Sequence, residues 1–179
     1  MKININKNWV HGLIWLLMII FFVFFPPVYA KFHSKQGIPV QIEYDFLQQT
    51  EDVEYAVDGL DTIVYDGENL YRFWGWAFQT KDLSEKQSDY ERILVIRSNS
   101  NIYFFPLTAM PSQDIQVAYK GLNMDLTNVR YSAFIAKDFI APGIYSVEII
   151  FKHRINGTSF YRKTDVKMIR TPNRLVIKQ

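Results

Sequence analysis

The chain has 179 residues, no cysteine, 16% aromatic residues and a formal charge of +2. Without cysteine there is no disulfide framework, no thiol nucleophile and no cysteine-held zinc or iron–sulfur site. A nearly neutral balance lacks the basic footprint of a nucleic-acid-binding protein, and beyond an apolar N-terminus the remainder, roughly 150 residues, is one domain's worth. The balance conceals a segregation. Residues 39–91 carry 13 acids against three bases (Arg72, Lys81 and Lys86), whereas residues 92–179 carry 13 bases against five acids. Either strands from the two halves pair so that their charges meet across a sheet, or the basic C-terminal half faces anionic lipid or cell-wall polymer.

In chain order, Lys2 and Lys7 precede an uncharged apolar run over 12–25. Counted from Trp9 to Val28 the segment is long enough, at about 1.5 Å per helical residue, to span a bilayer, with Trp9, Trp15 and Tyr29 as interfacial aromatics. Pro26 and Pro27 stop the helix, and Val28-Tyr29-Ala30 offers a signal-peptidase site after Ala30. Retention as an anchor is favoured over cleavage, and both outcomes place the rest of the chain outside the cytoplasm. The organisation expected is a signal-anchor or signal peptide over 1–30, a linker over 31–37 and an ectodomain over 38–179.

The ectodomain reads as strands. Residues 39–46 alternate apolar and polar, as do 52–57. Residues 69–78, NLYRFWGWAF, place Leu70, Arg72, Trp74, Trp76 and Phe78 on one face and Tyr71, Phe73, Gly75 and Ala77 on the other. Neither face is polar, which predicts a strand covered on both sides. A polar stretch over 79–90 is a loop or a single helical turn. Strands follow over 92–97 and 101–107, flanking the hairpin signal Ser-Asn-Ser-Asn at 98–101. Further strands are expected over 114–119, 128–136, 143–154, 159–165 and 166–170. Asn156-Gly157 signals a two-residue type I′ turn and also forms an N-x-T sequon. No amphipathic helical period follows Phe25. Short strands at this spacing predict an all-β antiparallel sandwich preceded by one N-terminal helix.

Within DFIAPGIYSVEI (138–149), Pro142-Gly143, one residue and Tyr145 resemble the corner that enters a late strand of immunoglobulin-like and fibronectin-like sandwiches. The resemblance implies that the Tyr145 hydroxyl ties the corner to the backbone. A wider pattern, GWAF at 75–78 and MDLTNVRYSAFIA at 124–136 followed by that corner, is similar to immunoglobulin-like accessory domains of exported, membrane-anchored bacterial proteins, some linked to surface glycan machinery. It covers about 70–152. The family pattern often has Arg before the Asp-Leu step and Gly-Phe in the next strand, where this chain has Met124 and Ser132-Ala133.

Trp74 and Trp76 share a strand face. Exposed, they form a stacking platform for sugar rings, with Tyr71, Asp66 or Glu68 donating or accepting hydrogen bonds; buried, they are core, which the apolar strand around them favours. Asp58, Asp61, Asp66 and Glu68 crowd one stretch, but Asp58-Gly59 and Asp66-Gly67 read as turns and not as a calcium loop. His153 is the one histidine of the ectodomain, and there is no G-x-S-x-G elbow, H-E-x-x-H or phosphate loop. No metal or cofactor is expected. The functional expectation is a non-catalytic, membrane-tethered sandwich binding a protein or glycan partner. The alternatives are a structural subunit of a larger membrane complex and a glycan-processing enzyme built on paired carboxylates.

Overall fold

The computed structural model describes residues 47–65 and 67–179. The segment 9–28, the cleavage position Ala30, the linker 31–37, the strand expected over 39–46 and Asp66 lie outside the described residues. Among the described residues no helix is long and apolar enough to cross a membrane.

These residues form an all-β sandwich of two sheets. Ten strands run in order: β1 (Gln48–Gln49), β2 (Val53–Tyr65), β3 (Glu68–Gln79), β4 (Tyr90–Arg97), β5 (Ile102–Pro106), β6 (Thr108–Met110), β7 (Arg130–Ala136), β8 (Gly143–His153), β9 (Ser159–Arg170) and β10 (Leu175–Lys178). One sheet is ordered β2-β3-β7-β6; the other is β1-β9-β8-β4-β5, with β10 also paired to β9. Successive antiparallel hairpins therefore alternate between sheets, β2–β3 and β6–β7 in one, β4–β5 and β8–β9 in the other. The core lies between them. Tyr71, Phe73 and Ala77 of β3 with Tyr131, Ala133 and Ile135 of β7 face Leu94, Ile96, Val147, Ile149 and Phe151 of β4 and β8. Ile93, Val95 and Ile150 are equally buried on the opposite face of β4 and β8, in a cluster packed by Leu47, Phe104 and Tyr161. This explains why residues 93–96 read as an unbroken apolar run.

Several expectations are corrected. Residues Gln113–Ala118 form a short helix, α1, in place of a strand. The side chains of Ile115, Met124, Leu126 and Val129 gather around Phe78 and close one end of the four-stranded sheet. Asp58-Gly59 is no turn: β2 runs through it with a bulge, Val57 pairing Gly75, Gly59 pairing Trp74, and Asp58 left over. Asn156-Gly157 is not a type I′ turn, which needs two positive φ angles. Only Gly157 has one, at +73°, and the loop closes from the His153 N–H to the Thr158 carbonyl at 2.8 Å. Asn156 Oδ1 accepts from both the N–H and the hydroxyl of Thr158. The polar stretch before β4 contains one 3₁₀ turn, Gln87–Asp89, and the hairpin at 98–101 closes from the Ser98 N–H to the Asn101 carbonyl at 2.8 Å.

Two tyrosines tie the late corner: the Tyr145 hydroxyl donates to the Ala141 carbonyl at 2.7 Å, and the Tyr103 hydroxyl accepts the Ala141 N–H at 3.2 Å. A Cβ on Gly143 would meet the Tyr145 ring at 3.2 Å, so the glycine lets the ring fold back over the corner. The two sheets are joined at their edges as well as through the core. Tyr55 of β2 donates to Asp165 Oδ1 and accepts from the Asp165 N–H in the β9 bulge, both at 3.1 Å. Charges from the two halves of the chain do meet, Arg130 with Asp58 and Arg162 with Glu51.

Inside the four-stranded sheet, the fully buried Tyr131 on β7 reaches beneath β3 to donate to the Ala56 carbonyl of β2 at 3.2 Å. It passes where a side chain at position 75 would stand. A Cβ on Gly75 would lie 2.1 Å from the Ala56 oxygen and 2.8 Å from the Tyr131 hydroxyl. Burial holds the Tyr131 phenol well above its ordinary titration range, so it remains a donor. Gly75→Ala is expected to lower unfolding free energy by about 3 kcal/mol or more, because the collision is with backbone, whereas Tyr131→Phe costs about 1 kcal/mol for one hydrogen bond. Urea denaturation of the two variants checks both; a Gly75→Ala protein as stable as the parent would contradict the packing described.

Candidate functional site

Outward from the core, the same four-stranded sheet carries an aromatic and charged face. Strand parity and register assemble it: Gly59, Trp74, Ser132 and Thr108 share one row across β2, β3, β7 and β6, and Asp61, Arg72 and Phe134 share the next. Trp74 and Trp76 are both half-buried and point away from the inter-sheet core, which corrects the expectation of a core position for Trp74, whereas Trp76 packs against the smaller cluster around Phe78. Tyr71 and Phe73 take the inner positions instead. Tyr71 is thereby removed from the Trp face altogether; its hydroxyl accepts the Leu175 N–H at 3.1 Å.

The two tryptophans differ. Trp76 stacks on Phe78 with ring centroids 5.8 Å apart and meets Tyr119 edge-on at 5.6 Å, so the segment after α1 covers it. Trp74 lies against the bare Cα of Gly59, where a Cβ would stand 2.9 Å from the indole Nε1. The bulge at Asp58 brings that glycine under the ring. Arg72 stands beside Trp74, its guanidinium carbon 5.9 Å from the ring centroid. It also makes a two-pronged pair with Asp61, Nε to Oδ1 at 3.1 Å and Nη2 to Oδ2 at 2.6 Å. Beyond it, Tyr65 and Phe134 stack at 6.2 Å and are 65% and 49% exposed. On the other side Arg130 bridges Asp58 at 2.7 Å and Asp114 of α1 at 2.5 Å.

The face is thus an exposed strip of rings, Tyr65–Phe134 and then Trp74, bordered by fixed ion pairs. From the Phe134 row to the Trp76 row is four residues, about 14 Å along β3. Of the residues singled out from sequence, Trp74 and Trp76 belong to this face, Tyr71 is inside, Asp66 is outside the described residues, and Tyr145, Gly143, Asn156 and Gly157 serve corners and loops elsewhere. Among the described residues no cluster of three or more His, Asp or Glu is placed to hold a metal ion. Asp61, Arg72, Asp58, Arg130, Asp114, Gly59 and Phe134 escaped sequence reading as site residues. For Asp61 a signal exists: a tight turn at Asp66-Gly67 pairs residue 65 with 68, and the same count pairs 61 with 72.

A second depression, of about 780 Å³, opens on the other sheet between the 98–101 hairpin and the β9 bulge, lined among others by Arg97, Ser146, Glu148, Lys163 and Lys167. Burial pushes the Glu148 carboxyl upward, with Lys163 opposing. Its rim mixes signs and carries no aromatic stripe. Comparison with protein-family models, with curated proteins and with solved structures finds no match.

Two expectations follow from this geometry. In Gly59→Ala the new methyl meets an indole and no backbone among its nearest atoms, so Trp74 lifts toward water; its fluorescence shifts to the red while stability falls much less than in Gly75→Ala. An unshifted spectrum would show that the ring does not rest on Gly59. Hydrogen bonds from Arg72 and Arg130 hold the Asp61 and Asp114 carboxyls below their ordinary range. Their contribution is complete above the unfolded value, about 3.9, and is lost as pH falls through the lower folded values. Carboxyl-carbon NMR titration should show both still ionised at pH 4, where Asp in an unfolded chain is about half protonated.

Proposed function

We propose that this chain is a non-catalytic binding module of immunoglobulin-like architecture, tethered to a membrane through residues 9–28 and displayed outside the cytoplasm. It engages its protein or glycan partner through the outward face of the four-stranded sheet. The observation that carries the reading is that face: half-buried Trp74 and the exposed Tyr65–Phe134 stack share it with the Arg72–Asp61 pair set beside them and the Arg130 bridge at its edge. Outward rings on one sheet face with paired donors and acceptors beside them recognise a surface; they do not form a nucleophile, and no chemistry is needed for them to act.

Support for the immunoglobulin-like assignment comes from the strand order and one bond. The orders β2-β3-β7-β6 and β9-β8-β4-β5 correspond to those of the first four-stranded and second sheets of that sandwich class, and the Tyr145 hydroxyl on the Ala141 carbonyl occupies the place of its tyrosine corner. Support for the tether is the sequence of 9–28, uncharged except for a histidine and long enough to span hydrocarbon. Retention is the favoured outcome over cleavage after Ala30.

Alkaline carbonate extraction with intact-mass measurement tests the tether. The full-length mass should stay in the membrane pellet, and protease added outside spheroplasts should digest 91–179. A soluble species beginning at Lys31 would refute retention, and a protected 91–179 segment would overturn the topology.

A further inference from the structure

We infer that the outward face of the four-stranded sheet takes an uncharged polysaccharide strand, its pyranose rings stacked on Trp74 and running along β3 toward the Tyr65–Phe134 stack. This inference rests on the binding-module reading above and adds the chemical class of the ligand.

Three features of the face select that class. Trp74 is half-buried, with one edge of its indole where a Cβ on Gly59 would be and the Arg72 guanidinium beside it. An outward, part-exposed indole with a charged donor next to it can take the C–H face of a pyranose while the donor reaches its hydroxyls. Trp76 cannot serve in the same way, because Phe78 and Tyr119 already pack on it.

Both guanidiniums of the face are committed to carboxylates. Both Asp61 oxygens are held by Arg72, and Arg130 is shared between Asp58 and Asp114. Paired in this way they still offer remaining lone pairs and N–H groups to hydroxyls, in a geometry set before the ligand arrives. They do not offer an open cation. The outward residues of β2, β3 and β7 together with α1 include Glu54, Asp58, Asp61, Glu68 and Asp114 against Arg72 and Arg130. That is five carboxylates to two guanidiniums, a field that repels uronates, sulfated chains and phosphate polymers.

The apolar strip is also narrow and interrupted. Arg72 shares the row of Phe134 and stands beside Trp74, so a charged side chain breaks the rings and the face lacks the contiguous apolar core that a stable protein–protein interface buries. Sugar chains, which alternate C–H patches with hydroxyls, match that alternation; a protein surface would have to leave the ion pairs desolvated.

The test uses the full chain purified in a non-glycosidic detergent, with cellohexaose, laminarihexaose and chitohexaose as neutral probes and oligogalacturonate and oligoalginate as anionic ones. Binding is followed by calorimetry and by Trp fluorescence. At least one neutral probe should bind with an affinity unchanged between low and high salt, since no counterion is exchanged. Trp74→Ala should weaken it about tenfold or more, the scale of one lost aromatic contact, and Arg72→Gln should weaken it with the circular dichroism spectrum intact. Ile144→Ala, at an exposed position on the other sheet, should leave affinity within about twofold. If only the anionic probes bind, with salt dependence and loss on Trp74→Ala, the ligand class is wrong and the binding face stands. If no probe binds but a photo-crosslinker at position 134 captures a protein in native membranes and Trp74→Ala abolishes capture, the inference is overturned in favour of a protein partner. If Trp74→Ala changes neither, both the inference and the binding-face reading fail.

Discussion

Tyr131 can cross beneath β3 only because residue 75 has no side chain. With a Cβ there the Ala56 carbonyl would be 2.1 Å away, a distance that backbone cannot relieve without giving up the β2–β3 ladder. Much of the four-stranded sheet follows from this. The phenol fills the space that Gly75 leaves on the inner face of β3, stacks on Phe73 at 6.0 Å, and ties β7 to β2 across the strand between them. Three strands are thereby clamped by one side chain, at a point where the register of β2 also changes.

That change of register links the inside of the sandwich to its outer face. Beside Gly75 the bulge inserts Asp58 into β2, and the extra residue has two consequences. It turns the Asp58 carboxylate toward Arg130, and it carries Gly59 into the row of Trp74. Without the bulge the residue opposite Trp74 would be Asp58, and the indole could not approach the β2 backbone as closely as it does over Gly59. The floor of the candidate site and the packing of Tyr131 in the core are in this sense two sides of one irregularity, which is where bulges commonly do their work of re-aiming side chains.

Polar groups govern the crossings between the sheets. The chain leaves β3 for β4 through 80–89, and there the Gln87 amide bonds both the N–H and the carbonyl of Gln79 at 3.1 Å, replacing a strand neighbour at the end of β3. Arg92, buried over Phe151 and with its titration lowered to about 10 by that burial, donates to the Gln87 carbonyl. Arg170 plays a similar part at the other late loop, donating to the carbonyls of Lys137, Ile140 and Thr171. Each of these side chains satisfies backbone groups that a change of sheet strips from the ladders, which is costly to leave undone.

What the sequence determined by itself is local. Period-2 alternation shows most of the long strands and that the domain is all-β, the Ser-Asn-Ser-Asn stretch marks its hairpin, and Pro-Gly-x-Tyr marks the corner closed by Tyr145, because each of these depends on neighbours a few residues apart. Even the pairing of Asp61 with Arg72 is contained in the turn at 66–67. What only the tertiary structure decided is which face of a strand meets the core. Both faces of β3 are apolar, so alternation alone could not place Trp74 outside and Tyr71 inside; that choice belongs to Tyr131 and Gly75. The bulge at Asp58, the helix over Gln113–Ala118 and the single positive φ at Gly157 were likewise settled by partners distant in sequence or by loop closure. A short Asp-Gly or an apolar-polar run of six residues fits turn, bulge, strand or helix equally well until packing selects one.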